Sequence, residues 1–344
     1  MHKNGLRILV IGASPNLGEF NVLMGINHKD DLQAIKNEIE VNKNNYDVCI
    51  FLSHLGMNRD KEIAEKIEGI DIIIGGHLHI LMDKPEVINK KIIFTSGVYR
   101  EHLGVLCVEV NNQRIELIDG NNIPVKQCIE SKEVLDIVRN NREKAINKLS
   151  IPLYSIDKDL WHDVVVENPM TNLLADGLLE VLKCDIGLIN SGVINGGVRK
   201  GGISSKKIIE LCPSPLNPTM FRIQGKHLLE ALSNSLDTDF CYADGKGPGS
   251  RGKYVGRLHV SNAVIKHNGR CIRSIHINGE ELDLERFYTV ASSDYLQRGS
   301  GYKSLSNNLH VKYNKEYLRD TLREYMEKGE FVEKAFVDRW ILVE

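Results

Sequence analysis

The chain has 344 residues, of which 42% are hydrophobic and 26% charged, and its formal net charge is -2. This composition is typical of a soluble globular protein, and the length predicts about two domains. The near-neutral charge argues against a nucleic-acid binder, and every apolar run is far shorter than the roughly 18 residues of a membrane span.

The cysteines and the N-terminus indicate the compartment. Seven cysteines are scattered singly, without a C-x-x-C pair, which favours reduced thiols over disulfides or a zinc knuckle. The apolar stretch from Ile8 to Ala13 ends abruptly at Ser14-Pro15 and is too short for a signal peptide. We therefore expect a cytoplasmic protein.

The first part of the chain alternates apolar strands with helices. Continuous apolar strands between helices imply a sheet covered on both faces. The predicted strands are Arg7–Ala13, Asp47–Ser53, Ile70–Ile74, Ile92–Ser96, Gly104–Val110 and Arg114–Ile118, and the predicted helices are Asp31–Asn44 and Asp60–Ile67.

A polar helix, Ser131–Leu149, follows, with Leu135, Val138 and Ile146 on its inner face and Ser131 as its N-cap. Helices of this kind often connect domains, so we expect any hinge here. The predicted organisation is a first domain over 1–128, a linker helix over 129–150 and a second domain over 151–344.

Beyond this helix the pattern of elements restarts. A glycine-rich turn runs from Ser191 to Gly202. The other predicted elements are the helices Asn172–Leu182, Lys226–Ser235 and Leu318–Lys328, the strand Ile186–Ile189, and several strands between Arg257 and Val290.

Histidines stand at the ends of two predicted strands, in Ser53-His54-Leu55-Gly56 and in Gly75-Gly76-His77-Leu78-His79. A strand fixes the direction of the residue that follows it, and glycines let the backbone turn toward an ion. In an extended segment, His77 and His79 would lie on the same side. A lone histidine is more often a surface or capping residue, but this paired pattern favours metal ligation by His54, His77 and His79.

The same segments resemble the closing motifs of the calcineurin-like metallophosphoesterases, and more narrowly those of the 5'-nucleotidase branch. In the second half, Glu167 to Asp176 is similar to the start of that family's C-terminal domain. The segment from Ile189 to Ile194 resembles its Asn-Gly-Gly-Gly-Ile-Arg turn, and Tyr288 to Tyr302 resembles its substrate-stacking segment. The implied fold is a truncated metallophosphoesterase α/β sandwich followed by a 5'-nucleotidase-type α+β domain.

The resemblance implies two divalent metal ions, for which Mn, Zn, Co and Fe are all compatible. His54 and His77 would bind one ion and His79 the other, and two-metal sites of this kind hydrolyse phosphoesters.

The family's Asp-x-His motif, bridging aspartate and Gly-Asn-His segment have no counterpart here. In the family these three motifs precede the position that corresponds to Met1, so we expect a truncated chain. We interpret Asn27-His28 as a loop that caps the following helix rather than as ligands.

The family binds its nucleotide with two arginines, an asparagine and two stacking aromatics. In this sequence Asn190 matches the asparagine and Tyr295 matches one aromatic, although packing in the core is equally compatible with Tyr295. Asn190 and its neighbours could equally form a tight turn without a ligand.

Other pocket positions depart from the family. Asn195 stands where one arginine is expected, and Ser214 stands where the second aromatic is expected. Arg199 and Arg251 could compensate, although a structural or solvent-exposed role is favoured for each. These changes affect the groups that carry most nucleotide selectivity.

Two functions therefore remain open. The first is a 5'-nucleotidase-like, metal-dependent phosphohydrolase acting on a nucleotide or small phosphoester, with a separately encoded N-terminal fragment as a possible partner. The second is an inactive truncated fragment or a non-catalytic binding module. Truncation would expose an apolar edge or face of the first sheet, and we expect the chain alone to be inactive. Neither function involves nucleic acid or a membrane.

Overall fold

The computed structural model describes residues 1–111, 114–245, 247 and 249–344. The chain divides into two compact units, Met1–Leu135 and Asp136–Glu344. Each unit contains its own cluster of buried apolar side chains. The boundary between the units falls within the predicted linker 129–150.

The first unit consists of a largely parallel sheet with helices, followed by an antiparallel ribbon. Its elements in chain order are β1 (His2–Lys3), β2 (Leu6–Ala13), α1 (Glu19–Leu23), α2 (Asp31–Val41), β3 (Val48–Ser53), α3 (Met57–Lys66), β4 (Ile72–Ile74), β5 (Glu86–Ile88), β6 (Lys91–Phe94), β7 (His102–Asn111) and β8 (Arg114–Pro124).

The sheet of the first unit has the strand order β1-β2-β3-β4-β6-β5. Strands β2, β3, β4 and β6 are parallel, while β1 and β5 pair antiparallel at the edges. Its core face carries Phe51 and Ile73, which pack with Ile35 of α2 and Ile63 of α3. The predicted strands and helices of this region are confirmed, with ends shifted by a few residues.

The opposite face of this sheet is covered unevenly. Ile92 and Phe94 of β6 are buried, and Phe94 lies close to Gly104 of the β7–β8 ribbon. On β2 and β3 this face is partly open to solvent, since Val10 of β2 is 42% exposed and Leu52 of β3 is 47% exposed. The expectation of a sheet covered on both faces is therefore wrong for β2 and β3, because helices α2 and α3 both pack on the other face.

Helix α4 (Lys132–Leu149) contains the boundary between the units. The structure describes every residue of this helix, and none of them is buried. The predicted helix Ser131–Leu149 is confirmed, while its apolar side chains remain partly or largely exposed.

The second unit is a mixed α/β structure. Its elements in chain order are β9 (Pro152–Ile156), α5 (Pro169–Leu182), β10 (Ile186–Asn190), β11 (Gly201–Ser204), α6 (Ser205–Leu211), β12 (Pro218–Gln224), α7 (Gly225–Asn234), α8 (Thr238–Cys241), β13 (Leu258–Ser261), β14 (Ala263–His267), β15 (Ile272–Ile277), β16 (Glu280–Glu281), β17 (Phe287–Ser293), α9 (Asp294–Gln297), β18 (Asn308–Tyr313), α10 (Leu318–Met326), α11 (Gly329–Lys334) and β19 (Trp340–Leu342).

Helix α5 of the second unit packs against one of two sheets and against helices α10 and α11. One has the order β13-β10-β17-β12-β18 and the other the order β16-β15-β14-β19. Helix α5 begins where the Asn168 side chain accepts a hydrogen bond from the Thr171 N–H, with Pro169 in the first turn, and ends at Lys183 in a left-handed conformation. Most of its residues are buried, so α5 is the centre of this core.

Among the described residues, no helix combines the length and the apolar character needed to cross a bilayer.

Candidate functional site

The histidines lie at the carboxyl edge of the parallel sheet in the first unit. His54 directly follows β3, and the turn from Gly75 to His79 follows β4. Because β3 and β4 are parallel and Leu52 pairs with Ile74, both turns leave the sheet at the same edge. The topology therefore brings together residues that are distant along the chain.

The rings of His54 and His77 are 5.1 Å apart between centroids and meet edge to face at 67°. Two imidazoles that bind one tetrahedral ion through metal–nitrogen bonds of about 2.1 Å have centroids about 5 Å apart. The spacing of this pair therefore fits the binding of a single ion.

The glycines before His77 are required by close packing. A Cβ atom on Gly75 would lie 2.6 Å from Oδ2 of Asp60 and 2.8 Å from Cγ2 of Thr95. A Cβ atom on Gly76 would lie 3.2 Å from Nδ1 of His54. A side chain at Gly75 would force its neighbours to move, and one at Gly76 would need a shift of a few tenths of an ångström, so the glycines allow this turn to approach the turn that carries His54.

The turn itself is not extended. His77 has a φ of 72° and His79 a φ of 56°, a left-handed conformation that residues other than glycine rarely adopt. The premise that His77 and His79 share one side of an extended segment is therefore wrong. The ring of His79 instead lies 6.4 Å from the ring of Tyr99.

The donor set around the histidines fits a divalent ion only in part. Over the described part of the chain, no group of three or more His, Cys, Asp or Glu side chains is arranged to hold a metal ion. His54 and His77 offer two imidazoles, which suit Zn and Fe, whereas Mn favours oxygen ligands. The remaining ligands of such an ion would have to be water, substrate or residues outside this pair.

A cavity of 670 Å³ borders the two histidines. His28 and Asn27 line it together with His54 and His77, a proximity that the sequence analysis did not foresee. The residue that caps α2 is Asp30, whose side chain accepts a hydrogen bond from the Gln33 N–H. Asn27 and His28 thus lie in the loop before α2, as predicted, but the side chain that caps the helix is that of Asp30.

Asn190 lies at the end of β10 and is buried. Its Nδ2 donates to the carbonyl oxygen of Val255 at 2.5 Å, while its Oδ1 has no hydrogen-bond partner among the described residues. Asn190 thus fastens the end of β10 to the loop that contains Val255.

Tyr295 is 2% exposed and belongs to the hydrophobic core of the second unit. Its hydroxyl donates to the carbonyl oxygen of Gly245 at 3.2 Å, and a Cβ on Gly247 would lie 2.8 Å from its ring. In this conformation the ring is a core residue. A base would reach it only if the loop containing Gly245 moved.

A cavity of 340 Å³ in the second unit contains a different set of polar groups. Arg199 is exposed and is not among the residues that line this cavity. The lining residues are His162, Val164, Gly192, Ile194, Asn195, Arg251, Lys253 and Tyr254.

Two cations and a neutral histidine define the chemistry of this cavity. Arg251 and Lys253 bring positive charge, which favours an anionic ligand. Nε2 of His162 lies 3.0 Å from the carbonyl oxygen of Ser191, so Nε2 carries the proton and Nδ1 is an acceptor. Burial lowers the pKa of His162, which keeps its ring neutral.

Ser214 occupies the position where an aromatic residue was expected. It is buried, and its hydroxyl accepts a hydrogen bond from the Arg251 N–H at 2.9 Å. The serine therefore holds in place the loop that carries Arg251, a role that the sequence pattern did not indicate.

The chain resembles known phosphoesterases in sequence. Residues 147–307 match the family model for the 5'-nucleotidase C-terminal domain. An uncharacterized metallophosphoesterase of Bacillus subtilis (strain 168), YunD, is 27% identical over 331 residues, which cover 93% of this chain and 71% of that protein. The trifunctional nucleotide phosphoesterase YfkN of the same organism is 28% identical over 303 residues, which cover 82% of this chain but only 20% of that protein.

Solved structures show the same fold. A putative 5'-nucleotidase from Staphylococcus aureus has a TM-score of 0.62 at 15% identity, and the NAD nucleotidase of Haemophilus influenzae has a TM-score of 0.61 at 14% identity. Each match covers 100% of this chain and 74% of the other. The predicted mixed α/β fold of the 5'-nucleotidase type is thereby confirmed.

Proposed function

We propose that this chain is a member of the 5'-nucleotidase family and a metal-dependent phosphohydrolase acting on a nucleotide or a related small phosphoester. The observation that carries the proposal is the pair formed by His54 and His77, whose rings lie 5.1 Å apart on two turns at one edge of the sheet. Relatives named as a metallophosphoesterase and a nucleotide phosphoesterase support the same reaction class.

His54 and His77 would hold a divalent ion, with His79 assigned to a second one. When bound, such ions polarise a phosphoryl oxygen and activate water. The residues of this chain would orient the two imidazoles, through the strand ends and through the close approach of the two turns at Gly75 and Gly76. The remaining coordination positions would be filled by water, by the substrate or by a side chain from another polypeptide.

The second unit would recognise the substrate in its cationic cavity. Arg251 and Lys253 suit the phosphate groups of a nucleotide, because charge-assisted hydrogen bonds to phosphate are strong. Asn195 and Nδ1 of His162 add a neutral amide and an acceptor, which suit the polar edge of a sugar or base. We assign no stacking role to Tyr295 while its ring remains in the core.

A non-catalytic binding module is the second candidate function. It is favoured by the finding that the described residues contain no group of three metal-ligating side chains. Such a module would bind nucleotides in the cavity of the second unit, and bound divalent ions would not lead to turnover.

We also propose a cytoplasmic location. The structure describes all seven cysteines, and each of them is free, as expected of a reducing compartment.

The test of function is phosphate release from a panel of nucleoside phosphates and small phosphoesters, with added Mn²⁺ and with a chelator. The proposal departs here from the expectation, drawn from the sequence, that the chain alone is inactive: it predicts release that requires the ion and that is lost when His54 and His77 are both replaced by alanine. We expect Arg251→Ala to raise KM about tenfold, because a hydrogen bond to a charged group contributes about 1.5 kcal/mol. Arg199→Ala is the matched control and should leave KM unchanged.

The outcomes separate the two candidates. Nucleotide binding that depends on Arg251, without phosphate release under any condition, would favour the binding module. Phosphate release that is unchanged when both histidines are replaced by alanine would contradict the phosphohydrolase proposal.

A further inference from the structure

The start of the C-terminal strand β19 is anchored on the segment that leads into α5. The backbone N–H groups of Arg339 and Trp340 both donate to the carboxylate of Glu167, at 3.0 to 3.1 Å. The Arg339 side chain donates to the buried carboxylate of Asp176 on α5 at 2.6 Å. Two acidic side chains therefore fix the position of Trp340 in the second unit.

The ring of Trp340 supports the side chain of Arg257, which directly precedes β13. The guanidinium carbon of Arg257 lies 4.3 Å from the centroid of this ring, within the range of a cation–π interaction. Nη1 donates to the carbonyl oxygen of Val165 at 3.1 Å, while Nε and Nη2 are buried and have no hydrogen-bond partner among the described residues. The Trp340 ring and the attraction of the Glu167 carboxylate therefore compensate a buried charge that hydrogen bonds satisfy only in part.

The backbone of Arg257 joins two walls of the cavity that contains His162. Its N–H donates to the carbonyl oxygen of Val164, and its carbonyl oxygen accepts a hydrogen bond from the Ser191 N–H, both at 2.8 Å. His162 and Val164 line one wall, and Gly192, which follows Ser191, lines the other. Support of Arg257 by Trp340 therefore stabilises both walls.

We propose that Trp340 is a positioning residue of this cavity: the C-terminal strand holds the wall that carries His162 in place by supporting Arg257. Its effect on ligand affinity rests on the nucleotide cavity proposed above. Trp340 itself is not among the residues that line the cavity. It acts on the fraction of molecules whose wall is in place, and the apparent dissociation constant rises by the inverse of that fraction.

The competing role for Trp340 is packing alone. Its ring is 7% exposed and belongs to the core of the second unit, so a smaller side chain lowers stability in either case. Tyr288 offers a matched control, because its ring is 3% exposed, lies 5.1 Å from the guanidinium carbon of Arg286 and does not line the cavity. Packing alone predicts that substitution of either ring lowers stability and leaves the cavity wall unchanged.

Trp161 provides a measurement of the wall, because it directly precedes His162 and is 47% exposed. The chain has two tryptophans, so replacement of Trp340 leaves Trp161 as the sole one. The experiment compares acrylamide quenching of Trp161 in the full chain with Trp340→Phe, which keeps an aromatic ring, and with Trp340→Leu, which does not. The control chain carries Trp340→Phe together with Tyr288→Leu. Calorimetric titration with AMP in the presence of EDTA gives the ligand affinity of each chain.

We expect quenching of Trp161 in Trp340→Leu to rise above that in Trp340→Phe, toward the value of the urea-unfolded chain. AMP binding should weaken about tenfold, as the loss of a desolvated cation–π contact predicts. The control chain should match Trp340→Phe in both quenching and AMP affinity, although its melting temperature falls.

Equal quenching in Trp340→Leu and Trp340→Phe would overturn the inference, as would an equal rise in the control chain or raised quenching with unchanged AMP affinity. If Trp340→Leu does not fold, Arg257→Met in a chain that also carries Trp340→Phe decides by the same criteria, because it removes the cation and keeps the aromatic ring. Absence of AMP binding in the wild type would contradict the proposed nucleotide cavity, and the quenching of Trp161 would then decide whether Trp340 holds the wall.

Discussion

The backbone of His77 has a conformation that is energetically unfavourable for histidine. Its φ is 72°, and the left-handed region costs a residue with a Cβ roughly 1–2 kcal/mol relative to the right-handed region. The packing of Gly75 and Gly76 against Asp60, Thr95 and His54 leaves this turn little freedom. Strain of this kind persists where the surrounding structure enforces it, often at functional sites.

We predict that His77→Gly stabilises the metal-free protein by about 1 kcal/mol relative to His77→Ala, because only glycine adopts this φ without strain. Both variants lack the imidazole, so the difference between their free energies of unfolding reports the backbone strain at this position. Urea unfolding of the first unit measures it. Equal stability of the two variants would show that the turn is not strained.

Buried histidines make the second unit sensitive to pH. His259 has a satisfied neutral ring, since its Nδ1 lies 2.8 Å from Oδ1 of Asn172 and its Nε2 lies 3.3 Å from Nδ2 of Asn168. Burial holds the pKa of His259 well below its ordinary value. Because the folded state resists protonation, the stability linked to His259 is complete above the unfolded-state pKa of about 6.5 and is lost as the pH falls below it.

We predict that the free energy of unfolding falls below pH 6.5 by up to about 1.4 kcal/mol per pH unit for this histidine. His259→Gln should remove that part of the slope, while the exposed His310→Gln should retain it. Urea midpoints between pH 7.5 and 5 provide the measurement. The same slope in both variants would contradict the assignment.

At the scale of elements, β3 shows how one strand separates two environments. Phe51 is fully buried against α2 and α3, whereas its neighbour Leu52 is 47% exposed on the opposite face. Successive side chains of a strand point to opposite faces. An apolar side chain left in water on a sheet face favours association.

We predict that Leu52→Thr changes the free energy of unfolding by less than about 1 kcal/mol and reduces self-association. Phe51→Ala should cost about 3–5 kcal/mol, because it removes a large side chain from a packed core. Chemical unfolding and light scattering measure the two effects. A large loss of stability in Leu52→Thr would mean that this face is covered in solution.

Regular elements were predictable where the apolar period was clear. Helix α2 and strand β3 follow from it, and the histidine motifs could be recognised in the sequence. Strand β12 (Pro218–Gln224) was not predicted, because it follows a proline-rich segment that is typical of a loop. The turn of His77 and His79 was predicted as extended, because a left-handed backbone at histidine leaves no periodic signal. The packing of Asp60 against Gly75 and the hydrogen bond of Ser214 to Arg251 join segments that are separate in sequence, so neither was predictable from pattern alone.

At the scale of the whole molecule, the chain consists of two units, each with its own core. Helix α4 contains the boundary, and none of its residues, all of which are described, is buried. A helix without tertiary packing is only marginally stable, because packing supplies most helix stability in proteins.

We predict that limited proteolysis cleaves first within α4, because its Lys and Arg residues are exposed and its local unfolding breaks no core contacts. Mass spectrometry of early tryptic fragments would locate the cut, and the fragment that begins in α4 should remain folded. First cleavage inside either core would contradict this account.

The most direct test of the central claim is the number of Mn²⁺ ions bound per chain, measured by calorimetric titration of the wild type, His54→Ala, His77→Ala and His28→Ala. The account predicts an ion whose binding is lost in both the His54 and the His77 variants. It should be retained in the His28 variant, whose side chain lines the same cavity. Absence of Mn²⁺ binding in the wild type, or wild-type binding in either the His54 or the His77 variant, would contradict a metal centre built on these two strand ends.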